Sequence, residues 1–362
     1  MQATWMIRLL ACAALAAATW TLAACEQNQA AADAEAAGED VVLATFYPTE
    51  YFATRIAGGL VEVGCPLPAD ADPIFWRPSG DAIARYQRAG LVVTNGAEFE
   101  KWVAGAPLPR SRVVESISVA ALEQAGGPIT METITHSHGP EGEHSHEGID
   151  GHTWVDPTLA IAQVRAIEAA MAARWPEHAA DFAANGEALV ENLRALDAAL
   201  TEATSLLEGA TLLASHPAYN YLARTKGWDI HNLDLDPESA DVDAVVEAVH
   251  EALHEHEHDH GHKHGHEHDH GHEHADDEAA GHDHSGDSAD ADHDHDAQDG
   301  PIILLWEGQP TAEIVTALAD RLGVRSVLFT PAESRGALAE GQDYLDAMRG
   351  NVERLREAAS AL

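Results

Sequence analysis

Cations and cysteines are what this chain has least of. Twenty Lys and Arg stand against 61 Asp and Glu, a formal charge of −41. Such a field repels nucleic acid and anionic membrane surfaces as partners, and it suits a binder of cations. Three cysteines occur in 362 residues. Cys12 lies in an N-terminal apolar run that reads as a removable signal and Cys25 ends that run, so Cys65 alone remains for pairing and an internal disulfide is excluded in the processed form. Outside the His-rich residues 250–299 there is no His-Glu-x-x-His, and a Gly-rich phosphate loop and a Gly-x-Ser-x-Gly elbow are missing. The chain is therefore read as a binding protein and not an enzyme.

A comfortable transmembrane span is lacking too. The opening residues carry one positive charge, Arg8, and then an alanine-rich run that is too short and too rich in small residues to cross a bilayer. That run ends in Leu22-Ala23-Ala24-Cys25, which resembles a bacterial lipobox. The resemblance implies that residues 1–24 are a lipoprotein signal peptide and that Cys25 carries the lipid, placing the chain in the periplasm or on the cell surface. Residues 25–40 contain no aromatic and no β-branched side chain before the first strand and read as a solvated tether.

Beyond residue 40 the chain alternates apolar β-branched runs with helical patterns. VVLATF, LVEVGCPLP, LVVTNG and RVVESI predict strands in a first lobe over residues 41–175, with Ser79 as an N-cap for the helix GDAIARYQRAG. TLLASH, WDIHNLDL, PIILLWE and SVLFT predict strands in a second lobe over 209–362. This is an α/β pattern of two parallel-sheet lobes. Between them, residues 176–208 predict one long rigid helix of about thirty residues, roughly 45 Å, with Pro176 at its start.

Two segments depart from this pattern. HSHGPEGEHSHEGIDG predicts a short His-rich loop over 136–151, and residues 250–299 alternate His with Asp and Glu and hold almost no apolar side chains. The longer one is expected to be a disordered insert, tolerated because loop-closure entropy grows only with the logarithm of length. Alternating imidazole and carboxylate offers many weak cation sites, whose affinity should collapse below about pH 6.

Outside those tracts only His152, His178, His216 and His231 remain. His216 ends the strand TLLAS and Glu307 closes IILLW, so both stand at the carboxyl ends of strands, where open α/β sheets bind ligands. Asp72 lies in a loop after a strand, and His152 just ahead of the central helices. Imidazoles with carboxylates suit Zn²⁺. His178 and His231 read as structural or exposed.

The segments TFYPTEYFATRIAG, RPS, AGLVVTNGAEFEKW, GHTWVDP, LLASHPAYNYLARTKGW and LLWEGQP, taken in order, resemble the zinc and manganese solute-binding proteins of ABC importers, the ZnuA-like family. The resemblance covers nearly the whole mature chain. It implies two lobes joined by one long helix, a metal ion held between them, an ABC permease as partner and a monomer. It places His152 and His216 at ligand positions, puts Asp72 where a histidine is usual, and puts Thr330 where an Asp-Pro aspartate is usual. The expected metal set is Asp72, His152, His216 and Glu307, with transported Zn²⁺ as cargo. A surface zinc reservoir, or an importer for Mn²⁺ or Fe²⁺, stays open at this point.

Overall fold

The computed structural model describes residues 39–69, 71–137, 143–260 and 300–360. The expected signal peptide, the lipidation site Cys25 and most of the long His-rich insert lie outside the described residues.

Two four-stranded sheets are built on one plan. In the first lobe β1 (Glu39–Ala44), β2 (Glu62–Gly64), β3 (Ala89–Gly96) and β4 (Val113–Ile117) lie in the order β2-β1-β3-β4, with α1 (Tyr47–Ala57) and α2 (Gly80–Arg88) among the connections. Every pairing is parallel. The fully buried run Ala89–Gly96 explains why β3 is apolar almost throughout, as a strand covered on both faces must be. Ser79 caps α2 through its hydroxyl, which accepts the Ala82 N–H at 3.2 Å. After β4 come a short α3 (Val119–Gln124) and an antiparallel hairpin of β5 (Thr130–Ser137) and β6 (Glu143–Ile149).

The second lobe repeats the plan with β7 (Thr211–Ala214), β8 (Ile230–Asn232), β9 (Ile302–Trp306) and β10 (Val324–Leu328) in the order β8-β7-β9-β10, again all parallel. In both sheets the strand order reverses between the first and third strands. That switch point opens a crevice at the strands' carboxyl ends.

The lobes are joined by α4 (Pro157–Arg174) and α5 (Ala179–Thr204). Pro176 stands in a three-residue 3-10 turn after Trp175, so α5 begins three residues later than the sequence pattern suggests. Its buried stripe Phe182, Leu189, Val190, Leu193, Leu196 and Leu200 packs on α1 and α4 from the first lobe and on α9 (Tyr344–Ser360) from the second. One hydrophobic core therefore runs through both lobes. The strut is held along its length, which limits hinge motion between the sheets.

Three elements depart from expectation. The hairpin β5–β6 occupies the region read as a His-rich loop, with residues 138–142 outside the described set. The helix α7 (Val242–His260) continues ten residues beyond the start of the expected insert. Extending an existing helix costs far less than nucleating one. The terminal α9 lies beyond the last strand, where no element is expected from the sequence pattern, and the remaining helices α6 (Asn220–Lys226) and α8 (Ala312–Leu322) complete the second lobe.

Leu193 is fully buried in the core common to both lobes. Leu193→Ala is expected to cost about 2–5 kcal/mol and to leave urea unfolding as one transition by circular dichroism and tryptophan fluorescence alike. Two separated transitions would show that the lobes unfold independently.

Candidate metal centre

The segment that delivers His152 leaves β6 and crosses between the lobes. Asp150, fully buried, accepts two hydrogen bonds on Oδ1, from the His152 backbone N–H at 2.9 Å and from His152 Nδ1 at 2.8 Å. Its Oδ2 accepts one from Asn220 Nδ2 at 2.9 Å, and its carbonyl accepts one from the Tyr221 hydroxyl at 2.9 Å. Both partners belong to α6 in the second lobe. On the other side Asn95 Nδ2 donates to the Gly151 carbonyl at 2.9 Å, and Gln163 Nε2 donates to Asn95 Oδ1 at 2.8 Å. Gly151 is required sterically, because a Cβ there would stand 2.5 Å from the Phe99 ring.

With the Asp150 carboxylate accepting at Nδ1, the proton of neutral His152 sits on Nδ1 and the lone pair is left on Nε2. That Nε2 atom is buried and has no hydrogen-bond partner among the described residues. Glu333 Oε2 stands 3.9 Å from it. An orphaned buried acceptor is rare in a folded protein and costs free energy unless a ligand satisfies it.

His216, nearly buried, follows β7, and its ring centroid lies 5.7 Å from that of His152 with the planes 80° apart. Two imidazoles sharing a tetrahedral zinc with Zn–N near 2.05 Å have centroids roughly 5 Å apart, so the two rings need little adjustment. Glu307 follows β9, the neighbour of β7, and its N–H donates to Ser215 Oγ at 3.3 Å. The crevice at the second sheet's switch point thus receives one imidazole and one carboxylate from adjacent strand ends.

Asp72 is less committed to the centre. Its Oδ1 accepts the N–H groups of Ile74 at 2.8 Å and Phe75 at 3.3 Å, closing an Asx-turn in its own loop. It nonetheless stands near enough to Glu333 to act on that carboxyl electrostatically. His178 immediately precedes α5 beside the Phe182 ring, and His231 lies within β8, both away from this grouping. Among the described residues no three His, Cys, Asp or Glu side chains are already placed to hold an ion.

Residues 42–257 match the family described as the zinc-uptake complex component A, periplasmic. The chain belongs to the ZnuA family. Relatives include the zinc-binding lipoprotein AdcA of Streptococcus pneumoniae, 32% identical over 212 residues that cover 57% of this chain and 40% of that one. The high-affinity zinc uptake system protein ZnuA of Bacillus subtilis is 29% identical over 224 residues, covering 59% and 67%. This chain therefore aligns with less than half the length of the pneumococcal relative. Among solved structures, the Zn(II)-bound ZnuA-like domain of Streptococcus pneumoniae AdcA superposes with a TM-score of 0.60 at 22% identity, over 89% of this chain and 99% of that one. That likeness shows the two-lobed fold, and the family is one of uptake-complex components rather than enzymes.

The ZnuA resemblance puts Thr330, a poor zinc ligand, at the fourth ligand position, and the structure brings Glu333 beside His152. The Thr330 hydroxyl accepts the Ala332 N–H at 3.1 Å, and the Thr330 backbone is held on both sides by Asn351. Trp154 Nε1 donates to the Pro331 carbonyl at 2.8 Å. Ala332, fully buried, is forced into the left-handed region at φ +55, which costs about 1 kcal/mol for a non-glycine residue. This fixed turn presents Glu333 to His152. The signal that could have found it is the rule that located His216 and Glu307: a carboxylate shortly after the carboxyl end of a strand, here β10.

The electrostatics of this grouping favour a cation. Burial pushes the Glu333 carboxyl up to about 8, with repulsion from Asp72 and Glu307 adding to the shift and His152 opposing it. His152 is affected the other way: burial disfavours its charge, yet Asp150, Glu333 and Glu307 outweigh that and raise its pKa. Carboxylates are crowded around two imidazoles, and their mutual repulsion favours any cation that enters.

Stability and pH are linked here with a definite sign. A Glu333 pKa above its unfolded value of about 4.5 stabilises the metal-free fold fully below that pH, and the contribution is lost as pH rises through about 8. Glu333→Gln is thus expected to raise the melting temperature of metal-free protein by several degrees at pH 8.5 and hardly at all at pH 5. An equal shift at both pH values would contradict the assignment. Asp150→Asn should weaken metal affinity by about 10–100-fold, measured by chelator competition, with the fold intact by circular dichroism.

Proposed function

We propose that this chain captures Zn²⁺ between its two lobes and delivers it to the permease of an ABC importer. The observation that carries the reading is the buried Nε2 of His152, which has no hydrogen-bond partner among the described residues and stands beside His216 and Glu333 at the lobe boundary. His152 and His216 are the nitrogen ligands, Glu333 is the carboxylate best placed to join them, and Glu307 and Asp72 compete for the remaining position. Two imidazoles beside carboxylates favour Zn²⁺ over Mn²⁺, and the family's description as a zinc-uptake component supports the same cargo.

The expected division into a signal peptide over 1–24, a tether over 25–40, two lobes and a linking helix fits this role. Lipid on Cys25 holds the monomeric protein near its permease, in the periplasm or on the cell surface. The His-rich insert then gathers metal for the central site. At its helical base His250 and His254, one turn apart on α7, are hydrogen-bonded through their Nε2 atoms at 3.0 Å, so two imidazoles stand side by side where the insert begins.

Isothermal titration of Zn²⁺ with Mn²⁺ as competitor, into protein beginning after Cys25 and lacking residues 261–299, tests the reading. One tight site that Mn²⁺ does not displace is expected, and His152→Ala or His216→Ala should weaken it by more than about 100-fold, beyond the usual loss for residues that only orient a ligand. Absence of any tight site would hand the function to the insert and make the chain a zinc reservoir. Unchanged affinity in Glu307→Gln would remove Glu307 from the ligand set.

A further inference from the structure

The loop that carries Glu333 is fastened to the opposite lobe by contacts that do not touch the metal ligands themselves. Arg335, two residues on, pairs through Nη2 with Glu50 Oε2 on α1 at 3.0 Å. Its guanidinium also lies over the Tyr47 ring, 4.9 Å from the centroid. One residue further, the Gly336 N–H donates to the Ala69 carbonyl at 3.2 Å, three positions before Asp72. The approach is close enough that a Cβ on Gly336 would stand 2.7 Å from that carbonyl oxygen. Tyr51 of α1 donates to Asp343 Oδ2 at 3.1 Å and so ties down the far end of the same loop.

We infer that Arg335 is a positioning residue that clasps the Glu333 loop of the second lobe against α1 of the first, and that this clasp sets the rate at which bound metal leaves. The inference rests on the interlobe zinc reading. The core along α5 denies the lobes a wide hinge, so metal has to pass through a loop that opens locally. Asp72 and Glu333 are attached to the two sides of the Gly336–Ala69 contact. When the segment 333–343 lifts from α1, one carboxylate ligand leaves His152 and the crevice opens to solvent. The Arg335 side chain is about 60% exposed and that of Glu50 15%, and an ion pair open to solvent on its cationic side contributes modestly to global stability. It is a fastening suited to repeated opening, because it orders the loop without anchoring the fold.

A positioning role and a structural one differ in what they move. In the full chain, Arg335→Ala is expected to speed zinc release to a chelator in stopped-flow by about fivefold or more, the range of a modest coupling between sites. The thermal midpoint of the metal-free protein should stay within a few degrees of the native one. Arg335→Lys, which keeps the charge for Glu50, should restore most of the slow release, and Glu50→Gln should reproduce the fast phase. Higher salt should quicken release from the native chain more than from Arg335→Ala. A slow zinc phase of unchanged rate in both Arg335→Ala and Glu50→Gln would overturn the clasp while leaving the interlobe site standing. If the native chain shows no slow phase attributable to His152 and His216, both readings fall together.

Discussion

The Asp150 carboxylate, buried in the seam between the lobes, is held by hydrogen bonds from neutral donors and from the one imidazole it orients. It receives them from His152 twice and from Asn220, while its backbone carbonyl receives one from Tyr221. Removing His152 or Asn220 leaves a buried carboxylate under-solvated, at a cost of several kcal/mol. The arrangement therefore locks three things together: the tautomer of His152, the path of the segment from Gly151 to Asp156, and the seat of α6 on the first lobe. Asp156 then caps α4 by accepting the Thr158 N–H at 2.8 Å, so the same short segment launches the helices that join the lobes.

Around that seam the two lobes behave as one body. The sheets share a strand order, and strand-end side chains of the second sheet meet the His152 segment of the first. Helix α5 supplies a stripe of Leu and Val to a core common to both lobes. A protein built this way cannot close on cargo by swinging its halves through a large angle. Selectivity and exchange then fall to loops, and the loops at issue are the two that bear Asp72 and Glu333. The crowding of carboxylates there is a cost in the metal-free state, visible in the raised Glu333 pKa. On the proposed reading a divalent cation would relieve that cost, making binding and stability two aspects of the same electrostatics.

Much of this fold is legible in the chain. All eight parallel strands overlap segments read as strands, most plainly the buried β3, because a strand covered on both faces leaves little freedom of composition. His152, His216 and Glu307 stand out because each lies beside a strand end or helix start in a sequence otherwise poor in histidine outside its two tracts. The hairpin β5–β6 is hidden by its His-rich composition, although Thr130, Thr133, Ile134 and Thr135 carry ordinary strand propensity. Asp150 escapes notice because an Asp before a Gly reads as a turn, and only the fold reveals that it reaches α6. Glu333 escapes for a different reason. The family pattern directs attention to Thr330, and nothing in the sequence announces the left-handed Ala332 that carries the next acidic side chain into the site.

The most direct test of the central claim is anomalous diffraction at the zinc edge from crystals of the zinc-loaded chain. The account predicts a strong peak in the seam, about 2.0–2.2 Å from His152 Nε2, a His216 nitrogen and a Glu333 oxygen, with any additional peaks near α7 weaker. Peaks confined to α7 and the His-rich insert, with the seam empty and His152 still without a partner, would contradict it.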